Sequence, residues 1–303
     1  MFIKRIVDKL LQKKSITQIE AEQVMQSALN GGATPAQITA FFTCMLVNGI
    51  TYIEFEGMLR GVKSKKIDYH KRNIDFYIYS FTQSNIALSI CFLLSQLGYF
   101  IYGKFKNLYS ENIEFFRDND VIEIPSEKKI LLLDKFQLFL SVSDYNKTLK
   151  NILFLKTELN FAKILTLFEM SIVPIRDTRQ VILIDEKTFE QLQGIDNLYN
   201  LFVDKLILII SAREIKILRI KKYKIFREKT IKLYDLEDYS FRPFSFAIKD
   251  DYFMRIIQLI TEEILKGFKL ENNVLNSLND ITRKEMSRKI FLSFTDYFQE
   301  VKS

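Results

Sequence analysis

A chain of 303 residues with 48% apolar content and a formal charge of +7 has enough hydrophobic mass for one medium domain plus a small one, or two of moderate size. That composition excludes a disordered chain, in which low hydrophobicity and high charge prevent collapse. Two cysteines exclude a disulfide framework and a zinc site, and the single histidine, His70, excludes a histidine metal cluster.

The opening residues repeat apolar side chains at helical spacing (Ile3, Ile6, Val7, Leu10, Leu11) and lack a small-residue cleavage pattern. They predict a first helix rather than a secretory signal. Ser15 or Thr17 caps a second helix, which runs to Gly31-Gly32. Thr34-Pro35 starts a third, with Thr34 as N-cap and Pro35 where its missing N–H is harmless, and Gly49 ends it. Thr51 begins a fourth through Ile53, Phe55, Met58, Leu59 and Val62. Residues 1–66 therefore read as a helical bundle domain, with helices from about 140–160 able to complete it. The basic segment from Lys63 to Arg72 is the expected boundary to an α/β domain over 67–303.

Beyond it, Ile74–Tyr79, Phe100–Tyr102, Ile130–Leu133, Val181–Ile184 and Leu206–Ile210 read as strands. Asn85–Leu97 and stretches around Asp144–Leu159 and Glu186–Phe202 read as helices. The uninterrupted run LILII is what a strand covered on both faces requires, and the alternation predicts a mainly parallel sheet with helices on both sides. From Glu214 short alternating runs predict a β-ribbon within a basic region near 213–234, and helices return from Asp251. The longest apolar run, Ile86–Ile101, is broken by Ser89, Ser95, Gln96 and Gly98 and falls short of the roughly 18 residues that cross a bilayer. A soluble, cytoplasmic protein with no membrane partner is expected, with Cys44 and Cys91 as buried thiols.

Only nine glycines occur, and neither GxGxxG nor GxxxxGK[ST] is present. Within 213–232 stand Arg213, Lys216, Arg219, Lys221, Lys222, Lys224, Arg227, Lys229 and Lys232, opposed by Glu214 and Glu228, with Tyr223 and Phe226 interleaved. Alternation along strands would project many of these cations to one side, as a stripe for the phosphates of a nucleic acid, or leave them as the solvated face of a ribbon.

At residues 15–61 the chain resembles the N-terminal helical domain of the anthranilate phosphoribosyltransferase family, relatives of the pyrimidine nucleoside phosphorylases, the matching text being IEAEQVMQSALNGGATPAQITAFFTCMLVNGITYIEFEGMLRGV at 19–62. Gly32, Pro35, Gln37, Ala40, Phe41, Gly49, Thr51, Glu54 and Gly57 carry the likeness. More distant matches follow in order: Asn85, Ile86, Phe92 and Gly98; Glu158-Leu159, Pro174 and Arg179-Gln180-Val181; and Glu214-Ile215. The resemblance implies a helical bundle followed by a phosphoribosyltransferase-type α/β domain, and a homodimer formed through the bundle.

The same resemblance implies phosphoribosyl pyrophosphate with Mg²⁺ as the ancestral ligand, held by a GTGGD loop and an NIST helix start, and here the residues depart from it. Where a highly charged diphosphate wants converging backbone donors, the chain reads DFYIYSFTQSN, and Ala87 and Leu88 replace the hydroxyls that follow Asn85-Ile86. KHGNR is replaced by Gly103-Lys104-Phe105-Lys106-Asn107, and the arginine that holds the anthranilate carboxylate by Lys156. The acidic metal pair becomes Arg213-Glu214, whose cation opposes Mg²⁺. The expectation is a divergent, non-catalytic homologue without cofactor, whose vestigial phosphate and substrate region is Asn85, Lys104, Lys106, Asn107 and Lys156, with Glu214 as the vestige of the metal site. The alternative is a pentosyl- or phosphoribosyl-transferase with a remodelled pocket.

Overall fold

The computed structural model of the chain describes residues 2–62, 74–81, 84–105, 137–142, 151–152, 154–155, 162–171, 178–193, 205–221, 224–233 and 250–270. Four helices come first: α1 (Phe2–Leu11), α2 (Gln18–Leu29), α3 (Pro35–Asn48) and α4 (Tyr52–Gly61). The last three start in the same way. The hydroxyls of Thr17, Thr34 and Thr51 accept from the backbone N–H three residues on, and Glu20, Gln37 and Glu54 return a bond to the threonine N–H. Each box satisfies two donors that a helix start otherwise leaves orphaned. Of the two caps open for α2, Thr17 is the one used. Gly49 stops α3 at φ +80°, a conformation that side chains with a Cβ resist.

Glu54 does more than cap. It is 3% exposed, and its Oε1 accepts from the Ile16 N–H at 3.0 Å while Oε2 takes the Thr51 N–H at 2.9 Å and hydroxyl at 2.8 Å. The loop between α1 and α2 is thereby tied to α4. Glu54→Ala removes a cap and leaves the buried Ile16 N–H unsatisfied, so a loss of about 2–3 kcal/mol is expected in urea denaturation. A loss below about 0.5 kcal/mol would show the tie to be dispensable.

The remaining elements are β1 (Phe76–Ser80), α5 (Ser84–Gln96), β2 (Ile101–Phe105), β3 (Leu138–Val142), α6 (Ala162–Ser171), β4 (Arg179–Asp185), α7 (Glu186–Gln193), β5 (Lys205–Ile210), β6 (Glu214–Lys221), β7 (Lys224–Lys232) and α8 (Asp251–Gly267). They build a seven-stranded sheet of order β3-β2-β1-β4-β5-β6-β7. The first five strands in that order pair in parallel, while β6 and β7 add an antiparallel ribbon at one side. This is the mainly parallel α/β architecture expected. In detail, the strand expected at Phe100–Tyr102 runs over Ile101–Phe105, and β3 and α6 have no counterpart among the expected elements. The expected boundary at 63–72, the strand at Ile130–Leu133 and most of the helix around Asp144–Leu159 lie outside the described residues.

Alternation sends successive strand residues to opposite faces. Phe76, Ile78, Val181, Leu183, Leu206 and Leu208 pack against α5 and α8. Tyr77, Tyr79, Ile182, Ile184, Ile207 and Ile209 face the other way, into a core shared with the bundle and α6. Phe168 of α6 is the joint: its ring stacks on Phe55 of α4 at 5.2 Å and meets Phe42 of α3 edge-on at 6.5 Å. Bundle and sheet therefore share one continuous apolar interior. Cys44 and Cys91 are both buried free thiols, and burial pushes the pKa of each up, Cys91 furthest. Among the described residues no helix is long and apolar enough to cross a membrane.

Candidate functional site

In open α/β sheets ligands bind outside the carboxyl ends of the parallel strands, so the ends of β1, β2, β4 and β5 are where a site is sought. β1 is buried along its whole length and gives way to α5 after only residues 81–83. The Phe81 N–H donates to the Leu183 carbonyl at 2.9 Å, which holds the chain in sheet register past the end of the strand. Phe81 is 7% exposed, and its ring packs on Tyr79 with centroids 4.5 Å apart. Tyr79 also carries the Lys104 ammonium 5.1 Å above its ring, and Tyr77 stacks on Tyr102 at 5.5 Å. Aromatic side chains thus occupy the bundle-facing side of β1 and β2. The converging backbone N–H groups that a diphosphate needs have no glycine-rich segment to present them here.

Asn85 is the second residue of α5 and is 1% exposed, while Ala87 and Leu88 are wholly buried in apolar core. Gly103 and Lys104 are β2 residues, so the segment matched to KHGNR begins inside a strand. A Cβ on Gly103 would lie 2.9 Å from Leu140 and 3.0 Å from Cys91, so this glycine serves the packing of α5 and β3 on β2. Lys106, Asn107 and Lys156 lie outside the described residues.

At the far side of the strand ends, Ser211–Glu214 closes the β5–β6 turn. The Ser211 N–H and hydroxyl both donate to the Glu214 carbonyl oxygen, at 3.0 and 3.1 Å, and the Ser211 hydroxyl accepts from the Glu214 N–H at 3.2 Å. The Glu214 carboxylate pairs with Lys216 at 3.0 Å. Glu186, at the start of α7, adds a longer contact of 3.7 Å to the same ammonium. Together they raise the Lys216 pKa, Glu214 first. Among the described residues, no group of three or more His, Cys, Asp or Glu is placed to hold a metal ion.

The basic residues of the ribbon do not share one side. Ile215, Ile217 and Arg219 face α8, and Lys229 is the register partner of Ile217. Glu214 and Lys216 belong to the opposite alternation, across from Lys232 and Thr230. Arg219 is 7% exposed, with its guanidinium 4.0 Å above the Phe268 ring. Arg213, Lys221, Lys229 and Lys232 are exposed; Lys224 and Arg227 lie in β7 with side chains outside the described set, as is Lys222. The expected one-sided stripe is thus divided between two faces, with Lys216 and Arg219 engaged within the protein.

Comparison with known proteins matches both parts of this architecture. Residues 4–65 match the helical bundle domain of the glycosyl transferase family. The anthranilate phosphoribosyltransferase of Chloroflexus aggregans is 38% identical over 65 residues, 22% of this chain and 19% of that enzyme. That of Geotalea uraniireducens is 38% identical over 63 residues, 21% and 18% of the two chains. Sequence similarity thus spans about a fifth of the curated relatives' length. The fold extends further: the crystal structure of anthranilate phosphoribosyltransferase from Thermus thermophilus superposes with a TM-score of 0.72 over 98% of this chain and 99% of that one, at 11% identity. The chain is an α/β protein with a glycosyl transferase helical bundle domain. It is related through that domain to the anthranilate phosphoribosyltransferases and has their fold along nearly its whole length.

Proposed function

We propose that this protein is a non-catalytic descendant of the phosphoribosyltransferase scaffold, kept as a binding or structural protein. The observation that carries this reading is the junction of β1 and α5. Three residues join strand to helix, the first of them a buried phenylalanine, where a phosphate-binding loop would need backbone donors and space. The engagement of Glu214 by Lys216 supports the same reading on the metal side. Titration calorimetry with phosphoribosyl pyrophosphate and excess Mg²⁺ at low salt is expected to give no specific binding in the millimolar range. Saturable one-to-one binding tighter than about 100 μM, worth more than about 5 kcal/mol and lost in Asn85→Ala or Glu214→Ala, would overturn this reading in favour of a transferase with a remodelled pocket, which a donor-dependent product assay would then have to show turning over.

The assembly proposed is a homodimer through the bundle. Leu11, Ile19, Val47 and Ile53 are large apolar residues between 57% and 78% exposed. Two hydrogen bonds draw their neighbours together: Asn48 Nδ2 to the Leu10 carbonyl at 2.7 Å, and the Ile16 N–H to Glu54. A concentration of exposed apolar side chains on one small bundle is the mark of an interface. Sedimentation at micromolar concentration is expected to give a dimer, and Val47→Asp with Ile53→Asp a folded monomer. A monomeric wild-type protein would refute the assembly.

A further inference from the structure

Beneath α6 the sheet carries a polar row. The strand registers set Tyr102, Tyr77, Gln180, Lys205 and Ile220 side by side across β2, β1, β4, β5 and β6. The next row in the same alternation holds Tyr79, Ile182, Ile207 and Leu218 and is apolar through its centre. Against the polar row lies the end of α6. The Lys205 ammonium, on a residue 4% exposed, donates to the Met170 carbonyl at 2.7 Å. That carbonyl is among the last of its helix, where no intrahelical donor follows and the helix dipole is negative. Glu169, the preceding residue, is 3% exposed and lies close enough to act on the Tyr77 hydroxyl.

Among the described residues, four buried side-chain atoms along this seam find no hydrogen-bond partner: Tyr77 Oη, Gln180 Oε1, Ser171 Oγ and Thr178 Oγ1. Tyr77 and Gln180 sit in the row itself, Thr178 precedes Gln180 by two positions, and Ser171 follows Met170. Proteins leave few buried polar atoms unsatisfied, and the common resolution is an internal water with two to four polar contacts. The chemistry of the set favours water over an ion. The tyrosine, serine and threonine hydroxyls and the lysine donate, while the glutamate and the glutamine carbonyl accept. Burial, reinforced by Tyr102, Tyr79 and Glu169, keeps the Tyr77 hydroxyl protonated and thus a donor. An anion would be repelled by Glu169, and a cation by Lys205 while it holds its proton, below about pH 7.

We propose that the seam between α6 and the sheet is an internal hydration site, in which ordered water joins the Tyr77 hydroxyl to the Gln180 carbonyl oxygen and the Ser171 and Thr178 hydroxyls. The water seats α6, and with it the bundle, on the sheet. The test is a crystal structure of the full wild-type chain at a resolution that shows ordered solvent, paired with amide exchange of wild type, Tyr77→Phe and Thr178→Val. The expected result is water within hydrogen-bond distance of Tyr77 Oη and of Gln180 or Ser171, with exchange over residues 164–171 about tenfold faster in Tyr77→Phe. A dry seam in which Tyr77 bonds Glu169 directly, a bound ion in place of water, or α6 exchange unchanged in both folded variants would each overturn the proposal.

Discussion

Gly57→Ala is expected to destabilise the protein by roughly 2 kcal/mol or more, although on helix propensity alone the same change should stabilise α4 by about 1 kcal/mol. The reversal comes from the crossing of α2 and α4. A Cβ built on Gly57 would collide with the Gln18 carbonyl oxygen and lie 2.9 Å from the Ala21 Cβ. Four residues on, a Cβ on Gly61 would meet the Met25 Cβ at 2.6 Å and the Glu22 carbonyl oxygen at 2.7 Å. The obstacles are backbone atoms and Cβ atoms, none of which can swing aside as the end of a long side chain can. Relief requires the helices to part, and that opens the core around Val24, Met25, Phe55 and Met58. Denaturant midpoints of wild type and Gly57→Ala give the comparison, with unchanged slope as the check that both unfold in the same way. A variant as stable as wild type would mean that the two helices do not cross at this distance.

The second large effect is a dependence on pH. Lys205 is buried, and burial pulls its pKa from an ordinary 10.5 to about 7. Below pH 7 the folded and unfolded chains both carry the proton, so Lys205 adds no slope. Between about 7 and 10.5 the unfolded chain binds a proton that the folded chain lacks, and stability rises with pH. The total rise is on the order of several kcal/mol, each tenfold change in proton affinity being worth about 1.4 kcal/mol. Lys205→Met, close in volume and without charge, should remove that rise and match or exceed wild-type stability at pH 6, as replacement of a buried charge by an apolar residue often does. Urea unfolding of both proteins at pH 6, 8 and 9.5 isolates the lysine, because other titrating groups cancel in the difference. Parallel profiles would show that Lys205 keeps its proton in the folded state.

What could be read from the sequence was what depends on near neighbours in the chain. The T-x-x-E and T-x-x-Q starts of α2, α3 and α4 are complete within four residues, so the bundle was legible down to its caps, as was the buried strand LILII. The bond from Glu54 to Ile16 crosses 38 positions, and no local pattern announces it. β3 stayed hidden because its five residues carry no clear polar alternation, and α6 because Ile164–Phe168 is almost uniformly apolar, a pattern that strand and buried helix share. The replacement of the phosphate loop was legible as missing glycines, whereas its geometric result, Phe81 held in register beside Leu183, was not. In the ribbon the alternation was plain, but the engagement of Lys216 by Glu186 and of Arg219 by Phe268 depends on α7 and on the end of α8. The polar row beneath α6 draws on strands far apart in the chain, and in each strand its contributor looks like ordinary sheet sequence.

The strand order also governs how the chain meets the ribosome. β1 lies between β2 and β4, and the register partner of Phe76 on the β4 side is Arg179. At the usual pace of synthesis, about 5–20 residues per second, that partner emerges roughly 5–20 seconds after β1. The bundle has its four helices in hand by then, but FYIYS has one edge still open and its bundle-facing tyrosines still without α6. The nascent chain therefore passes through a period in which a strand buried throughout in the finished fold is an open-edged template for the wrong neighbour.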